Sequence, residues 1–354
     1  MLNVRNGILD LRTGELRPHR REDLCQRLVD VDYNPLAAAP RFERFLAEIQ
    51  PDPEMRAFLQ RAVGYSLTGQ TNEQKLLLLY GTGSNGKSTF VELIQYLLSH
   101  YAEILPPEAL VASRSERIPT DIARLAGARF VTVMEFDDSA RLNERLVKQL
   151  TGGDTISARF MHRDFFNFRP QCTIWVSSNH HPVITGTDDG IWRRFLVVVF
   201  PVTISELDLD RELQQHLRDT ELPGILRWAV DGALAWQKQG LNPPVAVLAA
   251  TSAYRAGSDV LGEFLDECCV LAPLETVGKG LLYDRYCDWA RDGGLKPMTK
   301  IAFGRVLVER LGAQLSERRE GARKTHIWVG IGHRDWPTRT LSIGSSRPAQ
   351  KDDE

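Results

Sequence analysis

The sequence predicts an α/β protein built around a parallel sheet, with a helical collar before it and a winged-helix-like module after it. Three features carry that expectation. Four apolar runs, at 76–80 (LLLLY), 130–134 (FVTVM), 173–177 (TIWVS) and 195–200 (FLVVVF), lack the alternation of a half-solvated strand, so they belong to a sheet covered on both faces. A glycine-rich loop links the first run to an apolar-periodic helix, FVELIQYLL, at 90–98. Towards the end, a helix-period stretch gives way to alternating residues on a basic background.

Length and composition bound the rest. With 354 residues, 43% of them apolar, the chain has enough material for two to three domains at ~150 residues each. Its 44 basic and 46 acidic residues leave a net charge of −2, so any DNA-binding surface must be local. Five cysteines (Cys25, Cys172, Cys268, Cys269, Cys287) form no CxxC pair, and their odd number argues against a disulfide framework or a zinc site. They are expected as buried free thiols in a reducing cytoplasm. No stretch approaches the ~18 apolar residues of a membrane span, and the start MLNVRNGILDLRTGEL lacks a basic and apolar leader, which predicts a soluble, intracellular protein.

In chain order, residues 1–35 carry short apolar stretches broken by Asn6-Gly7, Gly14 and Pro18, a strand-and-turn lead. From 41 to 67, Phe42, Phe45, Leu46 and Ile49, then Met55, Phe58, Leu59, Ala62 and Val63 recur at helical spacing, split by Pro51 and Pro53 into a two-helix collar. Helical pattern resumes over 204–256, interrupted at Pro243-Pro244. The stretch 261–331 reads as compact and helical, ending in a hairpin, and 336–354, rich in Ser, Pro, Arg and Asp, reads as a disordered tail. The expected division is therefore 1–70 (lead and collar), 71–205 (P-loop core), 206–256 (helical connector), 257–335 (winged-helix-like domain) and 336–354 (tail).

The loop Gly81-Thr82-Gly83-Ser84-Asn85-Gly86-Lys87-Ser88-Thr89 matches GxxxxGK[ST] between a strand and a helix, the context that the motif requires. Glycines let backbone N–H groups converge on the phosphates of ATP, Lys87 reaches the β and γ phosphates, and Ser88 offers a hydroxyl to Mg²⁺. Hydrolysis needs acids on a second strand. The run at 130–134 ends in Glu135, followed by Asp137 and Asp138, beside the crevice where α/β sheets bind ligands. Glu135 is the first candidate for metal or water polarisation, Asp137 the second and Asp138 the third. The run at 173–177 delivers Ser178 and Asn179 to the same end, where Asn179 either holds the attacking water or the γ-phosphate by its amide, or serves a turn. His180 and His181 have no further ligands nearby, which speaks against a metal site. Arg193 or Arg194 could extend a guanidinium to the γ-phosphate of a neighbouring subunit.

Taken in order, the loop at 81–89, the acidic strand end, LTGGD at 150–154, SSNHHP at 177–182 and IWRRF at 191–195 make the chain similar to the superfamily 3 helicases. More narrowly, it resembles the phage and plasmid primase-helicase family typified by the phage P4 alpha and poxvirus D5-like proteins, over most of its length. The resemblance implies a three-layer AAA+-type P-loop ATPase that assembles as a ring, usually a hexamer, and moves 3′ to 5′ on single-stranded DNA. It makes Lys87 and Ser88 the Walker A pair, Glu135 the leading Walker B acid and a Mg²⁺ ligand with Ser88, Asn179 the sensor 1 residue, and Arg193 or Arg194 the arginine finger. It also makes 152–170 a hairpin in the ring channel. There Arg159, His162 and Arg163 stand beside Phe160 and Phe165, and such cations and rings suit a strand held by phosphates and stacked bases.

Residues 296–326 hold eight basic residues (Lys296, Lys300, Arg305, Arg310, Arg318, Arg319, Arg323, Lys324) against three acidic ones, a local excess of +5. Thr299 is placed to cap a helix that stops at Gly312, followed by a basic hairpin, and such a unit would set the helix in a major groove and the hairpin tip on phosphates. Lys300, Arg305, Arg318, Arg319, Arg323 and Lys324 are the candidate DNA contacts. Asp30-Val31-Asp32 reads as strand and turn, and too few residues precede the loop for a primase domain, so primase activity is not expected of this chain and, if the family's usual layout applies, the primase part is missing or lies on another polypeptide. The whole predicts a replication-initiation helicase of a phage, prophage or plasmid, cytoplasmic in a bacterial host, with single-stranded and origin DNA as partners. The alternatives are a P-loop ATPase that remodels or loads replication proteins, and a catalytically decayed origin-binding protein.

Overall fold

The computed structural model describes residues 1–112, 120–137, 140–184, 189–295, 297–320 and 325–334, and the chain divides into two units, Met1–Ser258 and Asp259–Glu354. Asp138, Lys296, Arg323, Lys324 and the tail at 336–354 lie outside the described residues.

The large unit opens on an antiparallel meander, β1 (Leu2–Val4), β2 (Gly7–Asp10) and β3 (Glu15–Arg17). Asn6 pins its first turn, donating to the Tyr33 carbonyl and accepting the Tyr33 N–H, both at 2.9 Å. Helices α1 (Pro40–Ile49) and α2 (Pro53–Thr68) each start on a proline, whose fixed φ suits a first turn and whose missing N–H costs nothing there. Asp52 caps α2 by accepting the Glu54 N–H at 2.9 Å, and Gly69 ends it at φ 70°.

The central layer follows: β4 (Leu76–Tyr80), α3 (Lys87–Leu98), β5 (Ala102–Ile104), α4 (Thr120–Ala123), β6 (Phe130–Met134), α5 (Glu144–Gly152), β7 (Ile156–Ala158), β8 (Phe166–Phe168), β9 (Thr173–Ser178), α6 (Asp189–Trp192) and β10 (Phe195–Val199). Five strands form a parallel sheet in the order β10-β4-β9-β6-β5, while β7 and β8 pair as a separate antiparallel hairpin. The alternation of the pleat divides each central strand between two cores. Leu77, Leu79, Trp175 and Val198 join the cluster containing the α1, α2 and α3 side chains, whereas Leu76, Leu78, Val176 and Val197 join a second cluster on the other face. A mixed α/β unit with a five-strand parallel sheet fits a P-loop-type core.

Three more helices complete this unit, α7 (Leu213–Thr220), α8 (Leu222–Gln239) and α9 (Val245–Gly257). The stretch expected as a connector is packed into the large unit: α8 lies along α2 and α9 against β10. Glycines set the closeness of the α2–α8 contact, since a Cβ built on Gly64 would stand 2.0 Å from the Ala233 nitrogen, and one on Gly232 would stand 2.0 Å from the Gln60 carbonyl oxygen.

The small unit runs α10 (Val260–Cys268), β11 (Cys269–Gly278), α11 (Lys279–Asp292), α12 (Lys300–Leu311), β12 (Ser316–Glu320) and β13 (Thr325–His333), with β13 central in an antiparallel sheet. Thr299 caps α12 by accepting the Ala302 N–H at 3.3 Å, and the helix stops at Gly312, φ 48°. Phe264, Tyr286, Phe303, Leu307 and Trp328 fill the core. Four cysteines are buried as expected, but Cys25 is exposed because it follows a short surface turn rather than a packed element.

Replacing Gly64 or Gly232 by Val forces the α2–α8 backbones apart and is expected to cost roughly 3 kcal/mol of stability through overpacking. The urea midpoint of the large unit, followed by tryptophan fluorescence, measures this. Gly257→Ala, where a Cβ meets nothing within 4 Å, serves as the neutral control.

Candidate functional site

The C-terminal end of β4 releases the loop that precedes α3. Gly83, Ser84 and Gly86 take φ values of 105°, 46° and 77°, which roll the backbone into a cradle. A Cβ on Gly86 would fall 2.4 Å from Ile49 Cγ2, so α1 forms the floor of the loop, whereas a Cβ on Gly83 meets nothing within 4 Å and the cradle is open there. The Ile204 N–H donates to the Ser84 carbonyl at 2.6 Å and fastens the loop from the side. The N-cap residue Gly86 has no side chain to cap α3, and only the Lys87 N–H meets a side chain there, Asn85 Oδ1 at 3.5 Å, so the N–H groups that follow are open to an anion.

Lys87 is only 3% exposed. Its ammonium donates to the Gly81 carbonyl at 2.6 Å, Asn179 Oδ1 at 3.0 Å and Asn85 Oδ1 at 3.1 Å, one acceptor for each N–H. Burial pushes the Lys87 pKa down, against the opposing pull of the Glu135 carboxylate. The Asn85 amide nitrogen is buried without a partner, an unspent donor on the loop. Ser88 and Thr82 are exposed, and Thr89 is half-buried. This donor set fits phosphate oxygens, and the Ser88 hydroxyl is free to reach a divalent cation beside them.

Strand order explains what stands opposite. Because β9 lies between β4 and β6, Asn179 emerges between the loop and Glu135. Its side chain accepts from Lys87, and its N–H donates to Glu135 Oε2 at 3.3 Å. Glu135 itself is exposed, has a left-handed backbone (φ 54°) and donates its N–H to the Ser177 carbonyl at 2.8 Å. Lys87, Asn179 and Glu135 therefore meet at one edge of the sheet. Asp137 is not brought into this trio: Phe136 turns inward between the two acids, and the Asp137 carbonyl accepts the Ala140 N–H at 3.0 Å in a turn. His181 is wedged between the Tyr80 and Tyr254 rings, at 4.0 and 4.2 Å, and its burial lowers its pKa. Among the described residues no group of three metal-ligating side chains forms.

Arg193 and Arg194 part company. Arg194 is 7% exposed and donates to Thr151 Oγ1 at 3.0 Å and to the Gly190 carbonyl. It braces the interior, which removes it as a group offered to another molecule. Arg193 is exposed, and among the described residues its guanidinium is held by a 3.4 Å bond to Gln74 Oε1. Both precede β10, and the Leu76 N–H donates to the Arg194 carbonyl at 2.7 Å, so they sit at the N-terminal edge of the sheet, opposite the loop. A five-residue strand separates Arg193 from its own Lys87 by roughly 15 Å.

The β7–β8 hairpin presents Phe160, Met161, His162, Arg163 and Phe165 to solvent. The Arg159 guanidinium lies 4.8 Å from the Phe165 ring centroid, and Phe160 stacks on Phe166 at 5.8 Å. In the small unit Lys300, Arg305, Arg318 and Arg319 are all exposed. Arg318 and Arg319 are consecutive on β12, so they leave on opposite faces of the sheet. Asn85 was expected in the ATP-binding loop, but the use of its side chain to receive Lys87 was hidden among the loop's four variable positions.

Two family profiles match the chain, one described as "D5 N terminal like" over residues 1–51 and a family of unknown function (DUF5906) over residues 79–194. Among curated proteins, "Putative helicase L207/L206" of Acanthamoeba polyphaga mimivirus is 28% identical over 82% of this chain and 33% of its own length. "Putative helicase 022R" of Frog virus 3 is 24% identical over 69% and 27%, and "Putative primase C962R" of African swine fever virus is 26% identical over 55% and 21%. The chain thus spans about a third or less of these relatives, which come from viruses of eukaryotes and lend no support to a bacterial host. The apo structure of the NrS-1 C-terminal region is similar with a TM-score of 0.49 and 12% identity, covering 85% of this chain and 78% of that one. No described helix is long and apolar enough to cross a membrane. With the D5-like profile at one end and these helicase- and primase-named relatives along most of its length, the chain is similar to the D5-like primase-helicase family.

Proposed function

We propose that the chain is an ATP-hydrolysing motor of the superfamily 3 helicase type, with an AAA+-type core, working on DNA at replication as a ring of identical subunits. The observation that supports this most is the convergence of Lys87, Asn179 and Glu135 at one edge of the sheet with Arg193 exposed at the other. A subunit so built cannot bring Arg193 to its own nucleotide, but a neighbour can, and a guanidinium supplied across a boundary stabilises the charge of phosphoryl transfer.

In this reading the backbone of 81–86 and the Asn85 amide cradle phosphate, and Lys87 exchanges its three protein acceptors for phosphate oxygens. Ser88 and Glu135 would hold Mg²⁺, which would supply positive charge against the phosphates. Glu135 accepts a proton from the attacking water, which Asn179 orients by its side-chain amide. The hairpin tip with Phe160, Phe165, Arg159 and Arg163 grips single-stranded DNA by stacking and charge. We assign the small unit as a winged helix whose Arg318 and Arg319 lie near phosphates.

Three outcomes are expected. Lys87→Ala and Arg193→Ala should each lower ATP turnover by about 10³-fold or more. Only the first should lose nucleotide binding, and mixing the two variants should restore part of the activity by pairing an intact loop with an intact arginine; absence of complementation in a steady-state ATPase assay refutes a shared site. Because burial lowers the Lys87 pKa and phosphates raise it, nucleotide binding should take up protons once the pH nears or exceeds the free protein's depressed pKa. Affinity should be highest below the free protein's depressed pKa and fall as pH rises through it, short of the ordinary lysine range. Calorimetry in buffers of different ionisation heat reads the proton uptake. Phe160→Ala and Phe165→Ala should each weaken single-strand binding by about 1–3 kcal/mol, and Arg163→Ala should flatten its salt dependence, all measurable by fluorescence anisotropy.

A further inference from the structure

The small unit carries a groove that the motor reading leaves unused. It encloses about 420 Å³ alongside α12, bounded by the start of α11 and the β12–β13 hairpin. Phe303, Leu307 and Leu311 turn one face of α12 into the core. The other face, where a surface helix ordinarily carries polar residues, shows Ile301 at 87% and Val308 at 46% exposure. Gly304 lies between them, and a Cβ there would meet nothing within 4 Å, so the helix backbone itself can be approached.

The opposite wall is aromatic and charged. Trp328 is nearly buried, with the Lys279 ammonium 3.7 Å from its ring centroid. Lys279 also contacts Glu317 at 2.6 Å, and Glu317 accepts a second bond from His326 at 2.6 Å. Among the described lining residues Lys279, Lys300 and Arg305 are the cations and Glu317 the one carboxylate, already engaged by two basic groups. The rim is therefore basic over an apolar floor. Duplex DNA offers major-groove donors and acceptors to be read, and Ile301, Gly304 and Val308 supply none to match them. An apolar row at helical spacing is what receives the apolar stripe of an amphipathic helix.

We propose that this groove docks a short acidic amphipathic helix of a partner protein, its aliphatic side chains over Ile301, Gly304 and Val308 and its carboxylates on Lys300 and Arg305. The proposal stands apart from the ATPase reading. To test it, random peptides displayed on phage are selected on the full chain and counter-selected on Ile301→Glu. The expected winners carry aliphatic residues three or four apart among Asp and Glu, and as fluorescent peptides they bind the full chain. Ile301→Glu and Arg305→Glu should each weaken them about tenfold, while the circular dichroism of both variants and the ATP turnover of Ile301→Glu stay unchanged. Failure to enrich any sequence over Ile301→Glu, or enrichment of basic peptides, overturns the proposal. So does competition by duplex DNA whose own affinity falls tenfold in Ile301→Glu, or a tenfold gain in peptide affinity on removing residues 335–354, which would give the groove to the chain's own tail.

Discussion

A buried ammonium must have all its protons received, and that requirement at Lys87 organises the surrounding structure. Three acceptors meet it, from the loop's first residue, its fifth residue and the end of a different strand. The last of these, Asn179, reaches Lys87 only because β9 is the neighbour of β4 in the sheet. Asn179 in turn holds Glu135 through its backbone. Loop, strand order and acid are thus tied through one charge whose desolvation makes each partner necessary.

The collar belongs to the same arrangement. Phe45 and Ile49 of α1 press against Gly86, and Gln50 at the end of that helix donates to the Val199 carbonyl at 2.9 Å. The glycine at 86 is needed for its left-handed φ and also because any side chain would collide with α1. The same economy recurs between α2 and α8, where Gly64 and Gly232 remove the bulk that would keep the two backbones apart.

Much of this was legible from residue pattern. The four apolar runs carry no polar residue on either face over most of their length, and both faces are covered; Pro51 and Pro53 divide the collar helices because proline is tolerated only in a first turn. Other parts had no sequence signal. The strand β11 contains Pro273 and shifts register between Leu271 and Thr276, so its alternation never reaches the length that pattern reading needs. The edge strand β5 is three residues long. Arg193 and Arg194 are adjacent and chemically identical, and only the turn of α6 before β10 sends one inward to Thr151 and the other out. That Glu135, and not Asp137, meets the Asn179 N–H follows from a backbone reversal that composition does not encode.

That reversal has a lasting effect on what position 135 can become. A left-handed φ of 54° at a residue bearing a Cβ costs on the order of 1 kcal/mol, which glycine would not incur. Glycine, however, has no carboxylate to set beside Asn179. The polypeptide at this α-carbon is caught between two incompatible optima, relief of backbone strain on one side and a carboxylate beside Asn179 on the other.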